Sequence, residues 1–466
     1  MNALNERLLE REARGEPVTI GLVGAGQMGQ EILCQVQLMK GVRVPVVVDV
    51  DVERVGLACR MAGLPTERVV RTNDPDAARR AIAAGRTVAA TDWRVVTALP
   101  EVQVVVDATG VPAVGAAIAL AAIEARQHIV MMNVECDVTV GPLLRRKAQE
   151  AGVIYTLAAG DEPAAIIELY RFATALGFEV VCAGKGKNNP LDITANPDAL
   201  AGKAKARDMS PRMLCEFVDG SKTAVEMCSV ANATGLVPDV RGMHGASATR
   251  DTLHRVFCPQ ADGGVLRRKG AVDFAIGVHP GVFVVFTTDQ PRLRHGLIQR
   301  DMGHGPYYLL FRPYHLCSIE VPLTCAQAVI YGESSGHPLP KPVAECIAIA
   351  KRDLRAGETL DAIGEYCYRG SIDTVAAARA ENFLPLGLAQ GCVLRRDVRC
   401  GQPIRYDDVG AVPDTLLTRL RREQDELCFA SAPQLSEPGA EHPETTNHKP
   451  RTKNQEPRTK NHEPCL

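Results

Sequence analysis

The 466-residue chain sets 53 lysines and arginines against 55 aspartates and glutamates, a formal charge of -2, which gives no electrostatic footing for nucleic acid or an anionic membrane. Its length predicts two or three domains rather than one core. Fifteen cysteines occur without a C-x-x-C pair, no apolar run reaches a membrane span, and residues 1–17 are charged and helix-prone, so a cytoplasmic protein without disulfides, structural zinc or a secretory signal is expected.

The first patterned stretch opens with Val18-Thr-Ile-Gly-Leu-Val23, an apolar run that predicts a buried strand. Gly24, Ala25, Gly26, Gln27, Met28 and Gly29 follow it directly, and residues 30–39 predict a helix. A strand, glycine turn and helix in this order set a dinucleotide pyrophosphate on a helix N-terminus. Gly24 permits the tight turn, Gly26 removes a side chain where phosphate approaches, and Gly29 lets the helix pack close. A second strand over 44–48 ends in Asp49, 20 positions after Gly29, where a carboxylate reaches ribose hydroxyls. Asp49 favours NAD, because a carboxylate repels the 2′-phosphate of NADP and Val50 offers no guanidinium to hold it.

A crossover helix is predicted over 51–62, then a charged, alanine-rich excursion over 71–98 that reads as solvated helix. Strands at 103–107, 128–133 and 153–157 alternate with helices at 112–125 and 142–151. The alternation predicts an α/β chain whose residues 1–158 form a Rossmann-type, doubly wound parallel sheet. Ligands of such sheets sit beyond the strand C-termini. That rule selects Asp107, Ala108, Thr109, Gly110 and Asn133 as cofactor contacts, with Glu135 and Asp161 at similar positions. Helix capping or turn formation is the alternative role for the polar ones.

Residues 159–345 are expected to form an α+β catalytic domain. It opens with Gly160-Asp-Glu-Pro163 capping a helix to about 176, and a strand over 179–183 then delivers Gly184-Lys-Gly-Lys-Asn-Asn-Pro190. Lys185, Lys187, Asn188 and Asn189 make this an anion-binding turn or, alternatively, a basic surface loop. Phe217-Val-Asp-Gly-Ser-Lys222 leads into an amphipathic segment over 223–232 and carries Asp219 and Lys222. Arg312-Pro-Tyr-His315 is a third polar cluster, in which a structural histidine competes with a catalytic one.

An internal repeat follows. Lys351-Arg-Asp-Leu-Arg-Ala-Gly-Glu-Thr-Leu360 is echoed 44 residues later by Arg395-Arg-Asp-Val-Arg-Cys-Gly-Gln-Pro-Ile404. Each copy reads as strand, glycine turn and strand, predicting a small β-rich domain over 346–415 with pseudo-twofold halves and its basic residues on the surface. Residues 430–466, with Pro450-Arg-Thr-Lys-Asn454 repeated at 457–461, have the composition of a disordered tail.

The glycine turn, Val106-Asp-Ala-Thr-Gly110, Met132-Asn-Val-Glu135, Gly184-Lys-Gly-Lys187, Asp219-Gly-Ser-Lys222 and Arg312-Pro-Tyr-His315 together resemble the proteins related to homoserine dehydrogenase. Within them the chain resembles the branch containing the second type of 1-deoxy-D-xylulose 5-phosphate reductoisomerase, and the repeat resembles the SAF domain that closes those chains. The resemblance covers roughly residues 16 to 415. Homoserine dehydrogenases carry a lysine directly after the asparagine matching Asn133; this chain has Val134, which argues against homoserine oxidation. The branch implies NADPH, a possible Mg²⁺ or Mn²⁺, a homo-oligomer and a role in making isoprenoid precursors. On that chemistry Lys185, Lys187, Asn188, Asn189 and Arg312 are expected to hold a substrate phosphate. Lys222 would meet an enolate or alkoxide, and Asp219, Glu135 or His315 would move protons. Three alternatives stand beside it: homoserine oxidation with another residue replacing the lysine, oxidation of another sugar or sugar acid, and a non-catalytic nucleotide sensor.

Overall fold

The apolar runs that read as strands in the N-terminal third lie side by side in one sheet. In a computed structural model, which describes residues 2–187, 189–207 and 209–429, seven strands occur in this part. They are β1 (Val18–Val23), β2 (Val42–Val48), β3 (Val69–Arg71), β4 (Thr87–Ala90), β5 (Val104–Asp107), β6 (His128–Met131) and β7 (Tyr155–Leu157). All pair in parallel, in the order β3-β4-β2-β1-β5-β6-β7. Helices cover both faces, which is why these strands are nearly continuous in Val and Ile rather than alternating. The strand order reverses between β1 and β5, and such a switch point opens a crevice at the strand C-termini.

Two expectations for this region change. Residues 71–98 are not a solvated helical excursion: Val69 and Val70, and the run Thr87-Val-Ala-Ala90, supply two further strands of the sheet, with helix Pro75–Ala83 between them. The helix expected to begin at Pro142 begins at Val134 and runs to Ala151, because the Asn133 side chain caps it by accepting from the Cys136 N–H at 3.2 Å. Glu135 therefore sits in a helical first turn.

A second, mixed sheet has the order β12-β11-β8-β10-β9. It comprises β8 (Glu179–Lys187), β9 (Val237–Pro238), β10 (Ala271–Ile276), β11 (Val282–Thr287) and β12 (Tyr307–Arg312). Strand β8 continues through the stretch expected to be a turn, so Lys185 and Lys187 are strand residues, each 7% exposed rather than on a surface loop. Gly184 and Gly186 make that continuation possible: a Cβ would lie 2.1 Å from the Asp273 carbonyl oxygen at the first and 1.5 Å from that of Val278 at the second. Helix Ser221–Thr234 is buried nearly all round rather than amphipathic.

The repeat folds with β13 (Ala344–Ala350) and β14 (Tyr368–Thr374) as an antiparallel pair. Its two copies meet reciprocally. Leu354 N–H donates to the Val398 carbonyl at 2.8 Å and Val398 N–H returns the bond at 3.0 Å. Asp353 accepts from Cys400 N–H at 2.9 Å, and Asp397 from Ala356 N–H at 3.0 Å. Residues 1–428 form one unit, in which no described helix is long and apolar enough to cross a membrane. Asn188 and the tail from 430 onward lie outside the described residues.

Candidate active site

At the crevice, Gly24 (φ +107°) turns the chain under Ala108, whose carbonyl oxygen would lie 2.5 Å from any Cβ placed there. A Cβ on Gly29 would lie 1.9 Å from the Gly24 carbonyl oxygen, whereas one on Gly26 would meet nothing within 4 Å. Gly26 also N-caps helix Gln27–Leu38 without a side-chain bond, so no capping side chain stands at the first-turn N–H groups. Asp49 props this turn: its carboxylate accepts from Ala25 N–H at 2.8 Å and from Asp51 N–H at 3.0 Å. An open cradle and uncapped helix N–H donors fit a dinucleotide pyrophosphate. Gly29→Ala is expected to lower dinucleotide affinity about ten- to hundredfold, from roughly 1–3 kcal/mol of overpacking. Fluorescence titration with NADH and NADPH checks this, and an unchanged Kd for both would remove the turn from the binding site.

A cavity of about 630 Å³ continues from this crevice toward the second sheet. Met28, Ala108, Thr109 and Gly110 line its dinucleotide end. Asp107 and Asn133 stand behind that wall, 0% and 1% exposed. Asp107 accepts from the N–H and hydroxyl of Thr109 at 3.0 and 2.7 Å and from the Asn133 amide at 3.3 Å, fixing the Thr109 turn. Burial pushes the Asp107 carboxyl up to about 6 against these bonds.

The centre of the cavity gathers charge from four elements. Helix Ser221–Thr234 presents Lys222 and, one turn on, Glu226; helix Val134–Ala151 presents Glu135; Asp161 and Glu162 open helix Glu162–Ala175; β8 presents Lys185. Lys222 Nζ lies 3.0 Å from Glu135 Oε1. Lys185 Nζ lies 2.6 Å from Glu162 Oε1 and also bonds Glu226. His315 Nε2 is 3.5 Å from Glu162, and the Cys317 thiol is 3.5 Å from Asp161. Burial and the neighbouring Glu162 raise both Asp161 and Glu226, the latter to about 7. Glu162 is held low by Lys185 and His315 despite its burial, and the carboxylates around Lys222 raise its ammonium against desolvation. Environments that push neighbouring carboxyls apart separate proton carriers from permanent anions.

Oxygens of Asp161, Glu162 and Glu226 lie within 4.8 Å of one another. Three carboxylate ligands suit a hard divalent cation such as Mg²⁺ or Mn²⁺. Two of them are already bonded by the Lys185 ammonium, which occupies the cation's electrostatic role in this arrangement.

The far end is basic. Lys187 donates to the Phe217 carbonyl at 2.6 Å, Arg207 to Asn189 Oδ1 at 3.0 Å and Arg212 to the Ile363 carbonyl at 2.7 Å. Helix Pro211–Val218 starts here at Ser210 without a side-chain cap. Glu216, facing this end, is pushed up to about 8 by burial and by Glu135.

The structure thus brings together Glu135, Lys185, Lys187, Asn189, Lys222 and His315; of the residues expected to act on substrate it leaves Asp219 and Arg312 outside the cavity lining, as it leaves Asp107 and Asn133 of those expected to meet the cofactor. Asp219 is 0% exposed and its carboxylate is engaged by Lys351 at 2.6 Å, so it does not face a substrate. Arg312 is satisfied by Glu168 at 3.0 Å and Glu320 at 2.5 Å and anchors the loop that carries His315. Lys185 is spent on carboxylates rather than held free for phosphate. Sequence reasoning missed Glu162, Glu226, Arg207, Arg212 and Glu216. Only Glu226 left a signal, four residues after Lys222 on a predicted helix.

Residues 24–158 match the family model described as homoserine dehydrogenase, NAD binding domain, and residues 160–321 match the one described as oxidoreductase DRL, catalytic domain. No curated protein matches the sequence. Among solved structures, biliverdin reductase from Synechocystis in complex with biliverdin and NADP⁺ aligns at 19% identity and TM-score 0.26. That alignment covers 38% of this chain and 49% of the reductase, about half its length. A probable dehydrogenase from Thermotoga maritima aligns at 14% identity over 68% of this chain and 90% of that one, with TM-score 0.39. 1-Deoxy-D-xylulose 5-phosphate reductoisomerase from Zymomonas mobilis in complex with NADPH aligns at 13% identity over 67% and 81%, with TM-score 0.36. Residues 24–321 thus match an NAD-binding domain followed by an oxidoreductase catalytic domain, and the glycine turn opens the first of the two.

Proposed function

We propose that the chain isomerises and reduces a small phosphorylated ketose of the 1-deoxy-D-xylulose 5-phosphate kind. The observation that carries this reading is one continuous cavity with a dinucleotide end, a lysine–carboxylate centre and a basic end. The nicotinamide, when bound at the first, supplies the hydride. Lys187, Arg207 and the uncapped start of helix Pro211–Val218 hold the phosphate by charge and backbone N–H groups. The Lys222 ammonium stabilises negative charge developing on a substrate oxygen, and Glu135 keeps that ammonium in place. Asp161 and Glu226, whose carboxyls burial and Glu162 raise, the latter to about 7, serve as acid and base during isomerisation. A divalent metal held by Asp161, Glu162 and Glu226 would displace the Lys185 ammonium and, in place of that acid–base pair, would polarise the substrate's oxygens.

Oxidation of NADPH or NADH in the presence of 1-deoxy-D-xylulose 5-phosphate, with and without Mg²⁺ or Mn²⁺, tests the reading. Oxidation establishes the substrate; none with either cofactor rejects it and moves the assay to homoserine, erythrose phosphates and sugar acids. The same runs separate the cofactors. Asp49 favours a free 2′-hydroxyl, while Arg54, which also lines the cavity, offers a cation for a 2′-phosphate.

The basic end carries its own pH signature. Burial and the neighbouring Lys185 bring the Lys187 ammonium down to about 8, so this group is a cation below that pH and neutral above it. Inhibition by inorganic phosphate is therefore expected to weaken above pH 8, approaching roughly tenfold per pH unit if Lys187 dominates binding. Lys187→Arg, permanently charged, is expected to flatten the profile. A wild-type profile flat from pH 7 to 9.5 would take Lys187 out of anion binding.

A further inference from the structure

The C-terminal repeat lies beyond both matched family regions, which end at residue 321, yet it reaches the active site from behind. Lys351 directly follows β13, and its side chain is 1% exposed. Its ammonium lies 2.6 Å from Asp219 Oδ2 and donates to the Glu365 and Ala195 carbonyls at 2.8 and 3.0 Å. The other Asp219 oxygen accepts from Ser221 N–H at 2.8 Å, and Ser221 Oγ accepts from Gly370 N–H of β14 at 2.7 Å. Lys222 is the next residue. The corner between helices Pro211–Val218 and Ser221–Thr234 is therefore fixed by groups from the repeat, and Gly220 turns it with φ +88°.

The repeat's own symmetry sets this contact apart. The pseudo-twofold equivalent of Lys351, 44 residues on, is Arg395, and it is exposed. Only the copy facing the catalytic corner buries its cation. A second contact points the same way: the Ile363 carbonyl accepts from Arg212, and a Cβ on Gly364 would lie 2.8 Å from Glu216 Oε1.

We propose that Lys351 is a positioning residue which, through Asp219 and Ser221, sets the first turn of the helix presenting Lys222 and Glu226, making the C-terminal repeat a working part of the active site. The proposal rests on the reading that Lys222 acts on substrate. Its test needs no substrate.

The full-length protein is labelled competitively with acetic anhydride at pH 9, and the acetylation of Lys222 is compared by mass spectrometry with that of exposed Lys40. Lys351→Met frees Lys222 from Glu135, and its relative labelling rises roughly tenfold, the effect of one unit of lowered pKa. Lys351→Arg restores the wild-type ratio and Arg395→Met leaves it unchanged. The Asp219→Asn/Lys351→Met double variant leaves no buried charge unpaired and shows the same rise while still binding NADPH. A merely structural role lowers stability without moving the ratio in folded protein. An unchanged Lys222 ratio in the double variant overturns the proposal, whether or not any sugar phosphate is turned over. A raised ratio in a protein inactive on every sugar phosphate tried supports the positioning and counts against the substrate reading alone.

Discussion

Replacing Lys222 by Met is expected to lower turnover by roughly 10²–10³-fold, the loss seen when a preorganised donor to developing negative charge is removed, while the Kd for NADPH stays unchanged. The ammonium stands at the centre of the cavity, 3.0 Å from Glu135, whereas the glycine turn lies at its far wall. Methionine keeps the length and apolar stem of the side chain, so packing in the helix is conserved. It also leaves Glu135 buried without its partner, an arrangement that costs about 3–5 kcal/mol in a closed interior. Here Glu135 borders a solvated cavity and the expected loss is smaller, read as a drop in Tm. Turnover within about threefold of wild type, below the least effect of such a donor, would show that the ammonium plays no part in the chemistry. Lys222→Arg keeps the charge but not its reach, and a partial recovery of kcat would separate charge from geometry.

The dinucleotide half was legible in the sequence because its constraints are local. A glycine turn must follow its strand directly, and Asp49 must end the next one. The residues that close the turn, Gly24 and Gly29, are ones where neighbouring backbone leaves no room for a Cβ. What was not legible is which polar groups at strand ends spend themselves on the protein. Asp107 and Asn133 are as polar as Thr109, but they bond each other and the Thr109 turn behind the cavity wall. Asp219 and Arg312 likewise have partners distant in sequence, Lys351 and Glu168, whose approach only the fold discloses. Strands β3 and β4 were hidden by their shortness, three and four residues within a charged region. The repeat was read from its 44-residue offset, and the reciprocal bonds of Asp353 and Asp397 express it directly. Its surface assignment failed at Lys351 because an internal symmetry says nothing about what one copy docks against.

Lys185→Met is expected to tighten Mn²⁺ binding by an order of magnitude or more, a gain of about 1.4 kcal/mol for each factor of ten. The ammonium bonds Glu162 and Glu226, and with Asp161 these supply the three carboxylate oxygens a hard cation needs. A metal entering the wild-type site must displace a desolvated ammonium from two of its ligands, so the two cations compete for the same charge. Removing Lys185 leaves three clustered acids whose mutual repulsion a divalent ion relieves. The affinity should also depend on pH, because a carboxyl must lose its proton to coordinate. Glu226 is raised to about 7 in the wild type, so binding weakens as pH falls through neutrality. Losing the ammonium that lowers this carboxyl moves the transition upward in the variant. Electron paramagnetic resonance of free Mn²⁺ measures both at stated protein concentration. Equal affinity in the two proteins would mean that Lys185 yields its place without cost, and no binding by the variant would leave the triad as a proton-carrying site balanced by Lys185 and Lys222.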